Sequence, residues 1–317
     1  MKKLNGKIVR SVGFMTGLVL ILTLSSMIFS PKREAYNIIA VDAKEQSINA
    51  EPENTLDVIF MGDSESYSGF SPLQIWAEYG NTSYVCGTTA QRLCDTYSLL
   101  QHVFEKQSPK LVVLETNCLY REAGISKESD DKSLKLVAEY FPVFQYHSRW
   151  KGYIPLSLST KQEVIKDRRM KGFRLRKSVK PYTGSLPYMK KTNEIKKVPE
   201  LAGEYLQKIN KLCQENNAEL ILVSVPSAKN WDYSRHNGVA ELADKNKILY
   251  LDLNLVEEIG IDWKTDTKDA GDHLNFAGAK KVTKYIGKYL SEKFELTDHR
   301  GDEKYQKWYE DCKLLEL

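Results

Sequence analysis

A short apolar run that stops at a glycine constrains this sequence more than any other feature. Residues 56–61 read LDVIFM, and Gly62, Asp63 and Ser64 follow directly. Such residues suit a buried strand, and Gly-Asp-Ser is typical of the turn that leads from a strand into a helix. We predict that Ser64 lies at the carboxyl edge of a sheet, where open α/β folds bind their ligands. The tripeptide also forms ordinary turns and caps, so it does not predict catalysis alone.

The chain continues to alternate between apolar runs and segments of helical periodicity. Further strands are predicted at residues 83–86, 110–115, 218–225 and 248–252, and helices at 72–79, 90–106, 198–215, 234–244 and 276–289. Because these strands are continuous apolar runs, they are expected in a parallel sheet that is covered on both faces. The predicted fold class is therefore α/β, a three-layer, flavodoxin-like sandwich with a parallel sheet.

The amino terminus carries a membrane signal. Lys2, Lys3, Lys7 and Arg10 precede residues 12–30, which carry no charge. Nineteen helical residues span about 28 Å, close to the hydrocarbon thickness of a bilayer. The run ends in Phe-Ser-Pro-Lys-Arg and not in the small residues of a cleavage site, so an uncleaved transmembrane helix is predicted. The basic residues before it predict a cytoplasmic amino terminus and an extracellular remainder at the cell membrane.

Three regions are predicted. Residues 1–30 would form a cytoplasmic tip and transmembrane anchor, residues 31–54 a polar stalk without sustained periodicity, and residues 55–317 an α/β domain with a basic insertion at about 120–197. The five cysteines are odd in number and form no CxxC pair. This pattern argues against a disulfide framework and against a zinc site.

The insertion is strongly basic. Residues 149–197 contain fifteen Lys or Arg and three acidic residues, a local net charge of +12. The cations could simply face water, or the insertion could form a cap that attracts an anionic polymer or rests on anionic lipid headgroups. Candidate substrate contacts are Arg168, Arg169 and Lys171, together with Asp63 beside the serine. Nucleic acid is not predicted as a partner, because the anchor would place this region outside the cell.

A possible partner for Ser64 lies near the carboxyl terminus. Residues 269–275 read DAGDHLN and precede a predicted helix. Among the five histidines, only His273 is both flanked by carboxylates and followed by a helix start. A serine hydroxyl needs such a base to take its proton. An early serine and a late acid and histidine can meet in space as nucleophile, base and orienting acid.

These motifs resemble those of the SGNH (GDSL-type) hydrolases. The matching segments are GDSES at 62–66, Gly87 in CGTT, ETN at 115–117 and DAGDHLN at 269–275. The resemblance spans residues from about 55 to 292, apart from the insertion, and is strongest with the membrane-anchored branch that includes the D-alanyl transfer proteins of teichoic acid and the alginate O-acetylation proteins. It implies Ser64 as nucleophile, His273 as base, and an oxyanion hole made by the backbone N–H groups of Ser64 and Gly87 and the amide of Asn117.

Two positions depart from the family pattern. The family has Gly-x-Asn-Asp after the third strand, whereas residues 115–118 read ETNC. The usual acid lies three residues before the histidine, and Ala270 occupies that position. Asp269 and Asp272 are the remaining candidates for the orienting acid. Asp269 is preferred, because the immediate neighbour of a residue in an extended segment points the other way, and Asp272 could instead cap the following helix.

The sequence therefore predicts an extracytoplasmic serine esterase or O-acyltransferase that acts on acyl groups of a cell-envelope glycan or teichoic-type polymer. The expected partners are that polymer or acylated glycan and, through the amino-terminal helix, the membrane. A multispan membrane acyltransferase is a further candidate partner. The alternative is a non-catalytic anchored module that binds an anionic polymer or such a partner. No cofactor is predicted. A calcium site at Asp262, Asp266, Asp269 and Asp272 lacks the EF-hand spacing and its glycine, so no metal is predicted either.

Overall fold

A five-stranded parallel sheet forms the centre of the molecule. The computed structural model describes residues 6–29, 37–121, 123, 140–141, 143 and 167–316. The strands of this part are β1 (Val58–Met61), β2 (Ser83–Val85), β3 (Leu111–Glu115), β4 (Glu219–Ser224) and β5 (Leu249–Asp252). Their order is β2-β1-β3-β4-β5, and Phe60 pairs with Val85 on one side and Val113 on the other. This is the strand order of flavodoxin-like sheets, so the predicted fold class is confirmed.

Nine α-helices occur within the described residues. They are α1 (Gly6–Phe29), α2 (Ile38–Ile48), α3 (Ser64–Gly69), α4 (Pro72–Tyr79), α5 (Leu93–Lys106), α6 (Glu200–Glu215), α7 (Tyr233–Asn246), α8 (Phe276–Lys293) and α9 (Gln306–Cys312). Short 3-10 helices lie at Thr116–Tyr120, Leu253–Leu255, Glu257–Ile259, Glu303–Tyr305 and Lys313–Leu315. The helices predicted from periodicity after β1 are all present, with ends that differ by a few residues.

Both faces of the sheet are covered, which gives three layers. Along β1, Ile59 and Met61 belong to one buried cluster, whereas Val58 and Phe60 belong to another. Successive side chains of a strand point to opposite faces, so the two clusters are the two cores. Helices α2, α5 and α6 contribute to the first cluster, and α8 fills the second through residues such as Ile286. Continuous apolar strands are therefore required here.

The segment predicted as a polar stalk packs on the domain. Val41 and Ile48 of α2 are buried in the first core cluster. Lys44 of the same helix pairs with Asp167, its Nζ lying 2.8 Å from Oδ2. The prediction that residues 31–54 form a stalk is thus wrong for the described residues from 37 onward. The helix was missed because most of its apolar residues are consecutive, at 38–41, and charged and polar residues follow them, so no sustained helical period is visible.

Helix α1 coincides with the predicted membrane signal. The most apolar 18-residue window of the segment Gly6–Ile28 has a mean hydropathy of 1.9, and only 6% of that window is buried. This helix is long and apolar enough to cross a membrane, although a signal sequence near an amino terminus has the same properties. The helix is therefore confirmed, and its transmembrane placement stays a prediction.

Much of the basic insertion lies outside the described residues. Its last part, residues 173–197, which we call the strap, runs along the domain without helix or strand. The N–H of Arg174 donates to the carbonyl of Tyr67, and the N–H of Lys180 donates to that of Thr267, at 2.9 and 3.0 Å. The strap therefore lies beside α3 and beside the loop that contains His273.

Candidate active site

The turn after β1 places Ser64 at the carboxyl edge of the sheet. Gly62 has a φ of +136°, and a Cβ on it would come within 2.8 Å of the Cβ of Glu115. Only glycine adopts this conformation without strain. Asp63 caps α3, since its Oδ1 accepts a hydrogen bond from the N–H of Glu65. Ser64 is the first residue of α3 and is 6% exposed.

The loop before α8 positions the histidine. Ala270 and Gly271 have φ values of +62° and +85°, so the chain turns back on itself after Asp269. In this turn Oδ1 of Asp269 accepts the backbone N–H of His273 at 2.7 Å. Asn275 then caps α8 by accepting from the N–H groups of Ala277 and Gly278. The possibility that Asp272 caps this helix is therefore wrong.

Ser64, His273 and Asp269 form a continuous hydrogen-bonded chain. Oγ of Ser64 lies 2.7 Å from Nε2 of His273, and Nδ1 of His273 lies 2.7 Å from Oδ2 of Asp269. These distances suit a nucleophile, a base and an acid that orients the base. The acid lies four residues before the histidine, because the two positive-φ residues fold its carboxylate back onto the ring.

Asp272 lies close to the histidine but has other partners. Its Oδ1 is 3.4 Å from Nδ1 of His273, against 2.7 Å for Asp269. The amide of Asn230 donates to the same Oδ1 at 2.5 Å, and Nζ of Lys229 is 3.6 Å from Oδ2. The shorter contact therefore makes Asp269 the better orienting acid, and Asp272 adds negative charge beside the ring.

The three predicted oxyanion donors lie around this turn. A Cβ on Gly87 would collide with Oγ of Ser66 and come within 2.9 Å of the carbonyl oxygen of Asp63, so the Gly87 backbone passes directly against the nucleophile turn. Ser64 lies at a helix start, where N–H groups have no intrahelical acceptor. Nδ2 of Asn117 donates one hydrogen to Oδ2 of Asp63 at 3.0 Å, and its second hydrogen remains for an oxyanion.

Asp63 holds the site together and does not reach solvent. It is 0% exposed, and its Oδ2 accepts from Nε of Arg121 at 2.5 Å in addition to Asn117. Its other oxygen accepts from the N–H of Glu65. A buried carboxylate with these partners cannot contact substrate, so the expectation that Asp63 binds substrate is wrong.

The three basic residues proposed as substrate contacts lie in one turn before the strap. Lys171 is fully buried, with its Nζ 2.8 Å from Oε1 of Glu51 and 3.4 Å from Oδ2 of Asp311. Nε of Arg169 lies 3.2 Å from the other oxygen of Asp311. The carbonyl of Arg168 accepts the N–H of Lys171. The expectation for Lys171 is therefore wrong, because its cation neutralises buried acids, and none of the three has a described contact with Ser64 or His273.

Sequence reasoning missed a hydrogen-bonded network near the serine, which includes Asn230 and Arg235. Asn230 donates through Nδ2 to Asp272 and, at 3.0 Å, to Oε1 of Glu65. Nη1 of Arg235 donates to the carbonyl of Asn230 and, at 3.2 Å, to Oδ1 of Asn117. Asn230 follows β4 at the same carboxyl edge as Ser64, so the edge rule could have identified it. Arg235 lies in α7 and carries no such signal.

Two buried glutamates lie beneath the site. Glu65 and Glu115 are each 1% exposed. Burial raises the pKa of both carboxyls well above its usual value, and neighbouring acidic groups including Asp63 raise it further. The backbone N–H of Asn117 lies 3.1 Å from both carboxyl oxygens of Glu115, and the backbone of Val225 is a further partner of this carboxyl. In contrast, Oε2 of Glu65 has no partner among the described residues. The raised pKa favours the uncharged form of each side chain.

One group of side chains could in principle hold a metal ion. Ligand atoms of Glu65, Asp272 and His273 lie within 4.8 Å of one another. Both ring nitrogens of His273 are already engaged, by Ser64 and Asp269. Of the four aspartates considered for calcium, Asp266 pairs with Lys281 at 2.6 Å. These carboxylates are therefore used in protein contacts.

The placement of the site in the fold agrees with the resemblance that the sequence motifs show. Ser64 follows β1 and His273 precedes α8, and the two meet at the carboxyl edge of a flavodoxin-like sheet. This is the arrangement that the resemblance to the SGNH hydrolases implies. Gly87 follows β2 and Asn117 follows β3, as the motifs imply.

Comparisons with known proteins give structural matches alone. No protein-family model and no curated protein matches the sequence. A GDSL-like lipase from Bacteroides thetaiotaomicron is 16% identical with a TM-score of 0.38, over 80% of this chain and 98% of the lipase. A carbohydrate acetylesterase family member from Sinorhizobium meliloti is 13% identical with a TM-score of 0.32, over 76% of this chain and 100% of that one. Because these identities and TM-scores are low, a functional argument has to come from the side chains of this chain.

Proposed function

We propose that this protein is an extracytoplasmic serine esterase or O-acyltransferase that acts on ester-linked acyl groups of a cell-envelope glycan or teichoic-type polymer. One observation carries the proposal: Oγ of Ser64 is 2.7 Å from Nε2 of His273, whose Nδ1 is 2.7 Å from Asp269. A serine hydroxyl held by an oriented imidazole beside unpaired backbone donors is the arrangement that acyl transfer requires.

The first half-reaction transfers the acyl group to the serine. Oγ of Ser64 attacks the ester carbonyl carbon while Nε2 of His273 takes the hydroxyl proton. The carbonyl electron pair moves to the oxygen, which the N–H groups of Ser64 and Gly87 and the amide of Asn117 stabilise. The intermediate collapses as the bond to the alcohol breaks, and His273 returns the proton to the leaving oxygen. Asp269 stabilises the transient imidazolium.

The second half-reaction releases the acyl group. A hydroxyl group, from a sugar or from water, gives its proton to Nε2 of His273 and attacks the carbonyl carbon of the acyl-Ser64 ester. The intermediate collapses as the bond to Oγ of Ser64 breaks, and His273 returns the proton to that oxygen. A sugar acceptor makes the protein a transferase, and water makes it an esterase. The same residues serve both, and the difference lies in whether an acceptor excludes water.

The envelope location is supported by the amino terminus. Helix α1 has the length and hydropathy of a membrane span, and the basic residues that precede it favour a cytoplasmic amino terminus. An active-site domain after residue 37 would then face the outside of the membrane, where envelope polymers occur. The exposed cations of the strap, such as Lys177 and Lys190, would favour a polyanionic substrate.

A serine-directed fluorophosphonate probe tests the proposal. The full-length protein in detergent is treated with the probe and digested, and the modified peptide is identified by mass spectrometry. We expect one adduct on Ser64, and none after Ser64→Ala. Ser66→Ala is the matched control, because Ser66 lies in the same helix but bonds to the carbonyl of Asp63. A folded protein without an adduct on Ser64 would overturn the proposal and favour the binding-module alternative.

A further inference from the structure

Arg235 is a charged side chain beside the catalytic residues that forms no direct ion pair with a described carboxylate. It lies half-buried in the first turn of α7. Within the described part of the chain, no carboxylate is at ion-pair distance from its guanidinium. Its Nη1 donates to two neutral acceptors, the amide oxygen of Asn117 and the carbonyl of Asn230. A partly buried cation without a direct ion pair is costly, so this arrangement needs an explanation.

The surrounding acids supply only part of the counter-charge. Asp63 is nearest along the network, but Arg121 neutralises it through the contact at Oδ2. Burial acts to raise the pKa of Asp232, but hydrogen bonds from Ser234 and from the N–H of Arg235 and the charge of Arg235 lower it overall, although Asp232 forms no direct ion pair with the guanidinium. Burial raises the pKa of Glu65 and of Glu115, which favours their uncharged forms.

The guanidinium of Arg235 is held in place, and some of its N–H groups have no acceptor among the described residues. Its carbon lies 5.0 Å from the ring centroid of Tyr120, whose hydroxyl donates to the carbonyl of Arg235 at 2.8 Å. Nε and Nη2 of Arg235 have no acceptor among the described residues. A planar fork with free N–H groups matches the oxygens of a phosphate or carboxylate.

Arg121 lies on the other side of the same amide and carboxylate pair. Its Nε contacts Oδ2 of Asp63, which also accepts from Nδ2 of Asn117, and Arg235 contacts Oδ1 of Asn117. Arg121 is partly exposed at 37%, and its terminal nitrogens have no acceptor in the described residues. Two guanidinium groups therefore flank Asn117, one on each side of the predicted oxyanion donor.

We propose that Arg235, with Arg121 beside it, binds an anionic group of the phosphate class on the substrate, next to the ester that Ser64 attacks. This inference rests on the proposed acyl transfer at Ser64 and narrows its substrate to esters that carry such an anion. The arginines are specificity residues in this arrangement: they place the ester carbonyl against Asn117, and the anion supplies the direct ion pair that Arg235 lacks among the described residues.

Direct binding of inorganic phosphate tests the site without turnover. Calorimetric titrations use the full-length protein with Ser64→Ala, alone and combined with Arg235→Gln or Arg300→Gln. Arg300 is the matched control, because it is an exposed arginine paired with Asp298. We expect Arg235→Gln to raise the Kd for phosphate tenfold or more and Arg300→Gln to leave it within twofold. The absence of phosphate binding, or an equal Kd in the Arg235→Gln protein, overturns the proposal.

Kinetics with paired esters provide a readout that a folding defect would not mimic. In the otherwise wild-type protein, Arg235→Gln should raise KM for a phosphate-bearing acyl ester at least tenfold more than KM for a neutral ester of the same acyl group, and Arg235→Lys should restore part of the difference. Equal changes for both esters would contradict a role in anion binding. Fluorophosphonate labelling of Ser64 without phosphate binding would leave the acyl-transfer proposal intact and remove the anion site.

Two sources of such an anion can be separated with the same variants. Glycerol 3-phosphate represents a phosphate on a soluble or polymer-borne ester, and nanodiscs of phosphatidylglycerol represent a lipid headgroup. If glycerol 3-phosphate displaces inorganic phosphate from the protein, and this competition is lost in Arg235→Gln, the anion is of the first kind. Competition by phosphatidylglycerol nanodiscs alone, again dependent on Arg235, assigns the second. Failure of both to compete overturns the proposal.

Discussion

His273 joins two segments that are 209 positions apart in sequence, since its Nε2 lies 2.7 Å from Oγ of Ser64. The sheet makes this contact possible, because β1 delivers the serine to the edge at which the loop before α8 returns. The backbone turn at Ala270 and Gly271 then directs Asp269 to the opposite side of the imidazole. The reaction geometry therefore depends on the loop as much as on the residue types.

The two aspartates near His273 should differ sharply in their effect on rate. Asp269→Asn removes the carboxylate that holds the Nδ1 side of the ring, and we expect kcat for a small ester to fall roughly 10³- to 10⁴-fold, as in other triads. Asp272→Asn should cost about tenfold or less, because its nearest oxygen is 3.4 Å from Nδ1. Steady-state kinetics of the two variants check this. A larger loss in Asp272→Asn would make Asp272 the orienting acid.

Glu65 should make the folded protein less stable as pH rises. Burial raises the pKa of this carboxyl, so the folded state keeps a proton that the unfolded chain loses above about pH 4.3. The unfolded state then binds fewer protons, and the free energy of unfolding decreases with increasing pH until the folded pKa is passed. Glu65→Gln removes this proton site and should flatten the fall of the unfolding midpoint between about pH 5 and 8.

Thermal melts across that pH range measure how the unfolding midpoint of wild type and of Glu65→Gln changes with pH. Glu204→Gln is the control, since Glu204 is an exposed glutamate on α6. Its melting curve should follow the wild type at each pH. Parallel profiles for wild type and Glu65→Gln would show that Glu65 does not titrate differently in the two states.

Lys171 should matter for stability and not for substrate binding. Its Nζ contacts Glu51 at 2.8 Å and lies 4.5 Å from the ring centroid of Trp308, and the side chain is fully buried. Lys171→Met leaves the buried Glu51 without its cation and Asp311 with Arg169 alone, which should cost about 3–5 kcal/mol. Lys177→Met should change stability by less than about 0.5 kcal/mol, since Lys177 is exposed. Urea unfolding measures both, and equal effects would contradict the buried pair.

The folded domain should begin near residue 37. A chain from residue 37 keeps α2, whereas one from residue 55 exposes its docking surface and leaves Asp167 without Lys44. The shorter chain should lose about 1.5–3 kcal/mol of the free energy of unfolding for each of the buried side chains Val41 and Ile48. Circular dichroism melts compare the two chains. If the shorter chain does not fold, Val41→Ala in the full-length protein tests the same contact, and unchanged melting would show that α2 contributes nothing.

The regular elements could be predicted because their signals are local. The apolar run at 56–61 and the spacing of α5, α6 and α8 report directly which residues face a core. The serine, histidine and acids could be identified as candidates because few residue types perform acyl transfer. The choice between Asp269 and Asp272 needed the positive φ values of the loop, which no residue pattern displays.

Tertiary packing alone chose the partners of charged side chains. Lys171 and Glu51 are 120 positions apart, and neither neighbourhood marks the residue as buried. The same holds for Arg235, which reaches Asn117 from a different helix across 118 positions. Hydrophobic periodicity depends only on residues that are close together in the sequence. The amino-acid order therefore specifies the strands, the helices and the edge where Ser64 lies. Ion pairs and hydrogen bonds join whichever groups the fold brings within about 3 Å of each other. The tertiary structure therefore decided that Lys171 neutralises buried acids and that Arg235 lies beside the candidate active site.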